Sequence, residues 1–160
     1  MLDSNSEKGN PADVSGVIKI KELKTMGHIG KVKPAKILVI DDEPEITDII
    51  ETFLENAGYD VKSENSSTIG IERARNYLPD LVLLDIMMPF MDGYEICKEL
   101  KRGEKTKNIP VVFLTGKDAQ SDEGRSFDVG GVLFIKKPFS CERLLEIVKV
   151  VLLTAEKANK

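Results

Sequence analysis

Four short apolar runs recur along this chain, and each is followed by a segment with helical periodicity. The runs are ILVI (37–40), LVLL (81–84), VVFL (111–114) and VLFI (132–135), with a weaker one near residues 59–62. Runs this short and this apolar are typical of parallel strands that are covered on both faces. The alternation of strand and helix, repeated five times, predicts an α/β fold with an open parallel sheet and helices on both faces.

The helices are predicted from apolar residues spaced three and four apart. The first begins at Pro44, a residue tolerated at the first helical position, and ends before Gly58. Further helices are predicted over 68–78, 94–102 and 119–128, and from a cap at Ser140 onward. Because the segment 119–128 has few apolar anchors and a glycine in its middle, we expect it to be the least stable helix.

Residues 1–34 differ in composition from the rest of the chain. They are rich in Ser, Asn and Gly at first and in Lys later, and they hold too few apolar residues to bury a core of their own. We predict a mostly unstructured, flexible N-terminal tail over 1–34, with docking of a segment near 17–23 as the alternative. The remaining residues, 35–158, are predicted to form one globular domain.

Composition excludes several classes of function. The net charge of -4 argues against a protein whose main task is to grip nucleic acid or an anionic membrane. Two widely separated cysteines and a single histidine do not make an ordinary zinc site. Neither a secretory signal nor an apolar run of about 20 residues is found, so we expect a cytoplasmic protein with no membrane partner.

The polar residues that follow the predicted strands indicate where the chemistry lies, because ligands of open parallel sheets bind beyond the carboxyl ends of the strands. Asp41 and Asp42 follow the first strand, Asp85 the third, Thr115 the fourth and Lys137 the fifth. Clustered carboxylates repel one another, and a hard divalent cation with oxygen ligands relieves the repulsion, which implies Mg²⁺ or Mn²⁺. An ionised Asp can attack a phosphoryl group while an ammonium and a hydroxyl contact its oxygens.

Four strings of this sequence resemble the response-regulator receiver domain (CheY-like) of two-component signal transduction. They are ILVIDDEPEI (37–46), LVLLDIMMPFMDGYEIC (81–97), IPVVFLTGKD (109–118) and FIKKPF (134–139). They occur in the family's order, and the resemblance covers roughly residues 35–158. It implies a flavodoxin-like, doubly wound parallel sheet of five strands in the order 2-1-3-4-5, with five helices.

The resemblance also implies roles for the acidic residues. Asp85 matches the residue that accepts the phosphoryl group. Asp42, Asp85 and the backbone carbonyl of Met87 match the direct metal ligands, and Asp41 matches the residue that acts on the metal largely through water.

Three further residues match the family's switch. Thr115 corresponds to the switch hydroxyl, Phe134 to the switch aromatic, and Lys137 to the lysine of the phosphorylation site. By the same resemblance the Lys137–Pro138 bond is expected to be cis. Gly116 stands where alanine is common, which should leave the phosphorylation site open to an incoming donor.

The function implied is that of a stand-alone response regulator. Asp85 would accept a phosphoryl group, with Mg²⁺, from the phosphohistidine of a sensor histidine kinase or a histidine phosphotransfer protein. The modification would switch a protein-interaction surface near the predicted helix 119–128 and the fifth strand. We expect an unidentified downstream protein as partner and no direct nucleic-acid binding, because the chain ends soon after its last predicted helix.

The domain is predicted to phosphorylate and dephosphorylate itself, and is therefore not classed as an enzyme. A phosphorelay intermediate that passes the phosphoryl group to another histidine is an alternative that the sequence does not separate. An aspartate-nucleophile phosphohydrolase is disfavoured because Met87 stands where such enzymes carry a second Asp. A receiver that only scaffolds is disfavoured because the matching residues are all present.

Overall fold

The computed structural model describes residues 32–116 and 128–159, which hold five strands and four helices. The strands are β1 (Lys36–Ile40), β2 (Asp60–Glu64), β3 (Leu81–Asp85), β4 (Val111–Thr115) and β5 (Leu133–Lys136). The helices are α1 (Pro44–Asn56), α2 (Ser67–Tyr77), α3 (Gly93–Arg102) and α4 (Cys141–Ala158). All strand pairs are parallel and the sheet order is β2-β1-β3-β4-β5, which confirms the predicted fold class.

Two predictions concern residues that lie mostly outside the described ranges. The predicted helix over 119–128 lies outside the described residues except for its last position, so four of the five predicted helices are observed. Most of the predicted tail, 1–31, also lies outside the described residues. The division into a tail over 1–34 and a domain over 35–158 therefore stays a prediction.

The sheet is covered on each face by its own hydrophobic core. Helices α2 and α3 cover one face and α1 and α4 the other. Alternate strand residues enter opposite cores, so Leu38 and Leu84 pack under α2 and α3, whereas Val39 and Leu83 pack under α1 and α4. Apart from the exposed Lys36, the side chains in β1, β3 and β4 are buried almost completely. This double burial holds the three central strands, and thus the residues at their carboxyl ends, in place.

The edge strand β2 departs most from its predicted position. It spans Asp60–Glu64 and not residues 59–62, and Val61 is its only fully buried residue. A strand at the edge of a sheet carries few apolar residues, so its hydrophobic pattern is weak. The helix boundaries lie within one or two residues of prediction, and Gly58, with a φ of 98°, follows the end of α1 as expected.

The loop after β3 packs only in part. Met88 and Met91 are half-buried against the core under α2 and α3. Met87 is 75% exposed, and Phe90 is fully exposed. Phe90 also has a φ of 68°, a left-handed conformation that is uncommon for a bulky residue. The loop therefore presents an aromatic side chain to solvent next to the carboxyl end of β3.

Helix α4 is the longest of the helices that the structure describes, with 18 residues. It begins after Ser140, whose side chain accepts a hydrogen bond from the Arg143 N–H. Leu144, Val148 and Val151 form its buried face, and the exposed part of the helix carries charged residues together with Val150 and Leu153. Within 32–116 and 128–159 no helix is both long and apolar enough to cross a membrane.

Candidate functional site

Three carboxylates meet at one edge of the sheet. Asp41 directly follows β1, and Asp85 is the last residue of β3. Because the two strands are paired in register, with Ile40 opposite Leu84, these two residues lie side by side. Oxygen atoms of Asp41, Asp42 and Asp85 all lie within 4.8 Å of one another. Asp41 and Asp85 are buried and Asp42 is half-buried. The structure thus brings together the acidic residues that the sequence predicted, in an arrangement that concentrates negative charge away from solvent.

Lys137 supplies a positive charge to this cluster. Its Nζ lies 2.6 Å from Asp41 Oδ2, 3.4 Å from Asp85 Oδ1 and 3.7 Å from Glu43 Oε1. The backbone of Lys137 is anchored on the neighbouring strand, since its N–H donates to the Thr115 carbonyl at 2.6 Å. The Lys137–Pro138 bond that follows is cis, as predicted.

The balance of charges shifts two pKa values. Burial raises the pKa of Asp85 to about 7, the negative charge of Asp41 adds to this, and Lys137 offsets it only in part. Burial opposes the charge on Lys137, but the hydrogen bond to Asp41 and the nearby charges of Asp85 and Asp41 outweigh it and raise the pKa of Lys137. Burial and the charge of Asp41 therefore outweigh the single ammonium of Lys137, and an added cation would favour the ionised form of Asp85.

The raised pKa of Asp85 predicts how the free energy of unfolding depends on pH in the metal-free protein. Between the ordinary pKa of 3.8 and about 7, folded Asp85 keeps a proton that the unfolded chain releases. Raising the pH through this window therefore lowers the free energy of unfolding. We expect Asp85→Asn to be roughly 1–2 kcal/mol more stable than the wild type at about pH 8, with a smaller gain at about pH 5. Urea unfolding in a chelator at both pH values measures this, and a gain that does not shrink at low pH contradicts it.

The predicted switch residues lie on the two strands beyond β3. Thr115 is the last residue of β4 and is buried, and its hydroxyl donates to the Gly116 carbonyl at 3.4 Å. Phe134 lies in β5, is half-buried and packs against the core under α2 and α3. Both stand in strands that run to the same sheet edge as Asp85, with Thr115 one register position beyond it.

Met87 contacts the acidic cluster through its backbone. Its side chain is exposed, while its N–H hydrogen-bonds the Asp85 carboxylate and thereby opposes the rise in the pKa of Asp85. The loop after β3 therefore follows the rim of the cluster closely. This places the Met87 peptide beside the predicted metal ligands.

Asn65 is a residue of this site that the sequence did not indicate. Its side-chain amide donates to the backbone carbonyl of Asp41 at 2.8 Å and to Thr47 Oγ1 at 3.1 Å. It directly follows β2, whose carboxyl end reaches the same sheet edge as the ends of β1 and β3. The signal in the sequence is its position, because Asn65 is a polar residue at the end of β2, just as the other site residues are polar residues at the ends of their strands.

Comparisons with known proteins agree with this geometry. The chain matches the response regulator receiver domain over residues 37–149. It belongs to that family. Receiver domains act as signalling switches and typically bind Mg²⁺ at an acidic pocket, and this structure has a cluster of three Asp residues.

Two curated relatives and one solved structure illustrate the similarity. This receiver is 40% identical over 117 residues to the DNA-binding dual master transcriptional regulator RpaA of Synechocystis sp., covering 73% of this chain and 48% of RpaA. It is 36% identical over 123 residues to the alkaline phosphatase synthesis transcriptional regulatory protein PhoP of Bacillus subtilis, covering 77% and 50%. The chemotaxis protein CheY4 of Vibrio cholerae is 28% identical with a TM-score of 0.71, covering 74% of this chain and 98% of CheY4.

The expectation of no direct nucleic-acid binding is contradicted by these relatives. RpaA is a DNA-binding regulator and PhoP a transcriptional regulatory protein, and the receiver spans about half the length of each. The expectation rested on net charge and on the position of the last helix. The charge of an acidic receiver says little about nucleic acid, because the basic surface that holds DNA in such regulators need not lie on the receiver itself.

Proposed function

We propose that this receiver accepts a phosphoryl group on Asp85 from the phosphohistidine of a sensor histidine kinase or a histidine phosphotransfer protein. The observation that carries the proposal is the placement of the Asp85 carboxylate. It is buried beside Asp41 and Asp42, with Lys137 Nζ 3.4 Å away. A nucleophile with a cation beside it and a place for a second cation is suited to phosphoryl transfer.

In the transfer, an ionised oxygen of Asp85 forms a bond to phosphorus. The bond between phosphorus and the imidazole nitrogen of the donor breaks, and its electron pair returns to that nitrogen. The Lys137 ammonium, already within reach of Asp85, neutralises charge on the oxygens of the transferred group. Transfer from a small phosphodonor and later hydrolysis would use the same residues, so the domain would phosphorylate and dephosphorylate itself.

The residues fit a divalent cation. Their oxygen atoms are the donors that Mg²⁺ prefers, and a cation bound there would oppose the rise in the pKa of Asp85 that burial and the charge of Asp41 cause. We assign Asp42, Asp85 and the Met87 carbonyl as direct ligands and Asp41 as a residue that acts through water. Bound Mg²⁺, or Mn²⁺, would neutralise part of the charge on the phosphoryl oxygens.

The switch would act through Thr115 and Phe134. The Thr115 hydroxyl, which donates a long hydrogen bond to Gly116, would turn to the phosphoryl oxygens and leave space for Phe134 to move inward. The affected surface is proposed to lie near residues 119–128 and β5. In β5, Leu133 and Lys136 are exposed, which makes this strand available to a partner.

The relatives indicate which process phosphorylation of this receiver controls. Because RpaA is DNA-binding and PhoP regulates transcription, we propose that phosphorylation of this receiver controls gene expression. Action as a stand-alone regulator, like the cytoplasmic location, stays a prediction.

Removal of the metal provides the test of the proposed chemistry. Wild-type protein incubated with acetyl phosphate and Mg²⁺ is expected to gain the mass of one phosphoryl group, and a chelator should abolish the gain. Intact-mass spectrometry measures both. An adduct that forms equally well in the chelator would contradict the assigned role of the carboxylates. Where no adduct is seen at all, stoichiometric binding of beryllofluoride distinguishes a short-lived phosphoryl group from an inactive site.

A further inference from the structure

We infer that Asn65 is a positioning residue of the cation site, one that holds the peptide between Asp41 and Asp42. This inference rests on the proposed function, because it concerns the same site. The carbonyl of Asp41 accepts the Asn65 amide at 2.8 Å. In the described part of the chain, no backbone N–H donates to that carbonyl. Asn65 is thus its partner.

The end of β2 holds Asp41 on both sides of its Cα atom. The N–H of Asp41 donates to the Glu64 carbonyl at 3.1 Å, and the carbonyl of Asp41 accepts from Asn65, the next residue. Two consecutive residues of one strand end thereby fix the backbone of Asp41. The edge strand, which contributes no carboxylate to the cluster, determines the course of the chain into it.

Asn65 is itself held from a third element. Its amide also donates to Thr47 Oγ1 at 3.1 Å, and Thr47 is buried and donates in turn to the Pro44 carbonyl at 3.0 Å. This chain of hydrogen bonds joins the end of β1, the first turn of α1 and the end of β2. Asn65 is an exposed residue, but its side-chain amide is held in place by two acceptors, the Asp41 carbonyl and Thr47 Oγ1.

The peptide that Asn65 holds is the one that leads into Asp42. The carboxylate of Asp41 has its own partners, Lys137 and the Glu43 N–H, so its direction does not depend on Asn65. Asp42 lies in a cluster whose like charges push it outward, and the fixed peptide opposes that movement. Loss of the Asn65 amide should therefore act on the affinity for the cation and not on the chemistry once the cation is bound.

Titration calorimetry with Mg²⁺ tests this on the full chain. We expect Asn65→Ala to bind Mg²⁺ about tenfold more weakly than the wild type, in line with the effect of removing partners of metal ligands. The rate of phosphorylation by acetyl phosphate should fall at low Mg²⁺ and return to within about twofold of the wild-type rate at saturating Mg²⁺. Circular dichroism and urea unfolding verify that the variant is folded.

Three further variants separate positioning from other effects. Asn65→Gln keeps the amide and should recover most of the affinity. Asn65→Asp adds a negative charge but removes the donor, so we expect weaker binding, whereas a purely electrostatic role predicts tighter binding. Ser66→Ala is the matched control, since the Ser66 hydroxyl contacts Thr68 and not the cluster.

Four results would overturn the inference, and one of them would also overturn the proposed function. Unchanged Mg²⁺ affinity in Asn65→Ala, or tighter binding in Asn65→Asp, overturns the inference while the proposed function stands. A rate that stays low at saturating Mg²⁺ also overturns it. A wild-type protein that binds no Mg²⁺ overturns the proposed function and this inference with it.

Discussion

Asp85→Asn is expected to take up almost no phosphoryl group from acetyl phosphate, under conditions in which the wild type is modified. The substitution keeps the size of the side chain and removes the charged oxygen that attacks phosphorus. We expect the rate of adduct formation to fall below about one hundredth of the wild-type rate. Intact-mass spectrometry over time measures the loss.

The matched control is Asp80→Asn. Asp80 lies just before β3 and Asp85 at its end, so the same chemical change is made at opposite edges of the sheet. Asp80 accepts a hydrogen bond from the Lys36 N–H and contacts no residue of the acidic cluster. The control should therefore be modified like the wild type. An adduct on Asp85→Asn would show that another residue accepts the phosphoryl group.

Gly93→Ala is expected to cost about 3 kcal/mol of stability. A Cβ atom on Gly93 would meet the carbonyl oxygen of Asp85 and lie 2.8 Å from Ile86 Cα, and both contacts are with backbone that cannot turn aside. Gly93 is also the buried first residue of α3, and its N–H donates to the Ile86 carbonyl at 2.9 Å. The added methyl must displace either the helix or the end of β3, and the second movement would also misplace Asp85.

Urea unfolding measures this effect, and Gly116→Ala is its control. Among the residues that the structure describes, a Cβ atom on Gly116 would have no neighbour within 4 Å, and the φ of Gly116 is not in the left-handed region. Its stability should stay within about 0.5 kcal/mol of the wild type. A loss of less than about 1 kcal/mol in Gly93→Ala would mean that α3 moves aside easily. Slower phosphorylation of Gly93→Ala at saturating Mg²⁺ would further show that the position of Asp85 depends on this close contact.

The sequence predicts the central part of this molecule well because its signals there are strong. The runs of β1, β3 and β4 are apolar throughout, since both faces of these strands are covered. A parallel sheet then brings its strand ends to one edge, which is sufficient to place Asp41, Asp42 and Asp85 together. The same rule places Lys137, which directly follows β5, at this edge.

The remaining features depend on contacts that leave no periodic trace in the sequence. Asn65 is a common turn residue, and its role rests on a hydrogen bond to a backbone carbonyl far away in the chain. Phe90 follows two methionines and a proline, a composition typical of a packed loop, yet its left-handed backbone directs it to solvent. The prediction about nucleic acid was wrong because charge composition describes a domain and not the proteins in which that domain occurs.

The division of the sheet into two cores has a consequence for how substitutions combine. Leu83 and Leu84 are joined by a peptide bond, yet they pack in different cores, whereas Leu84 shares a core with Ile71 and Phe113. Because pairwise energies couple through shared contacts, double-mutant cycles should find neighbours along a central strand nearly additive. Coupling should instead join residues that are distant in the chain, so the pattern of epistasis in this domain would follow the layers of the fold and not the order of the sequence.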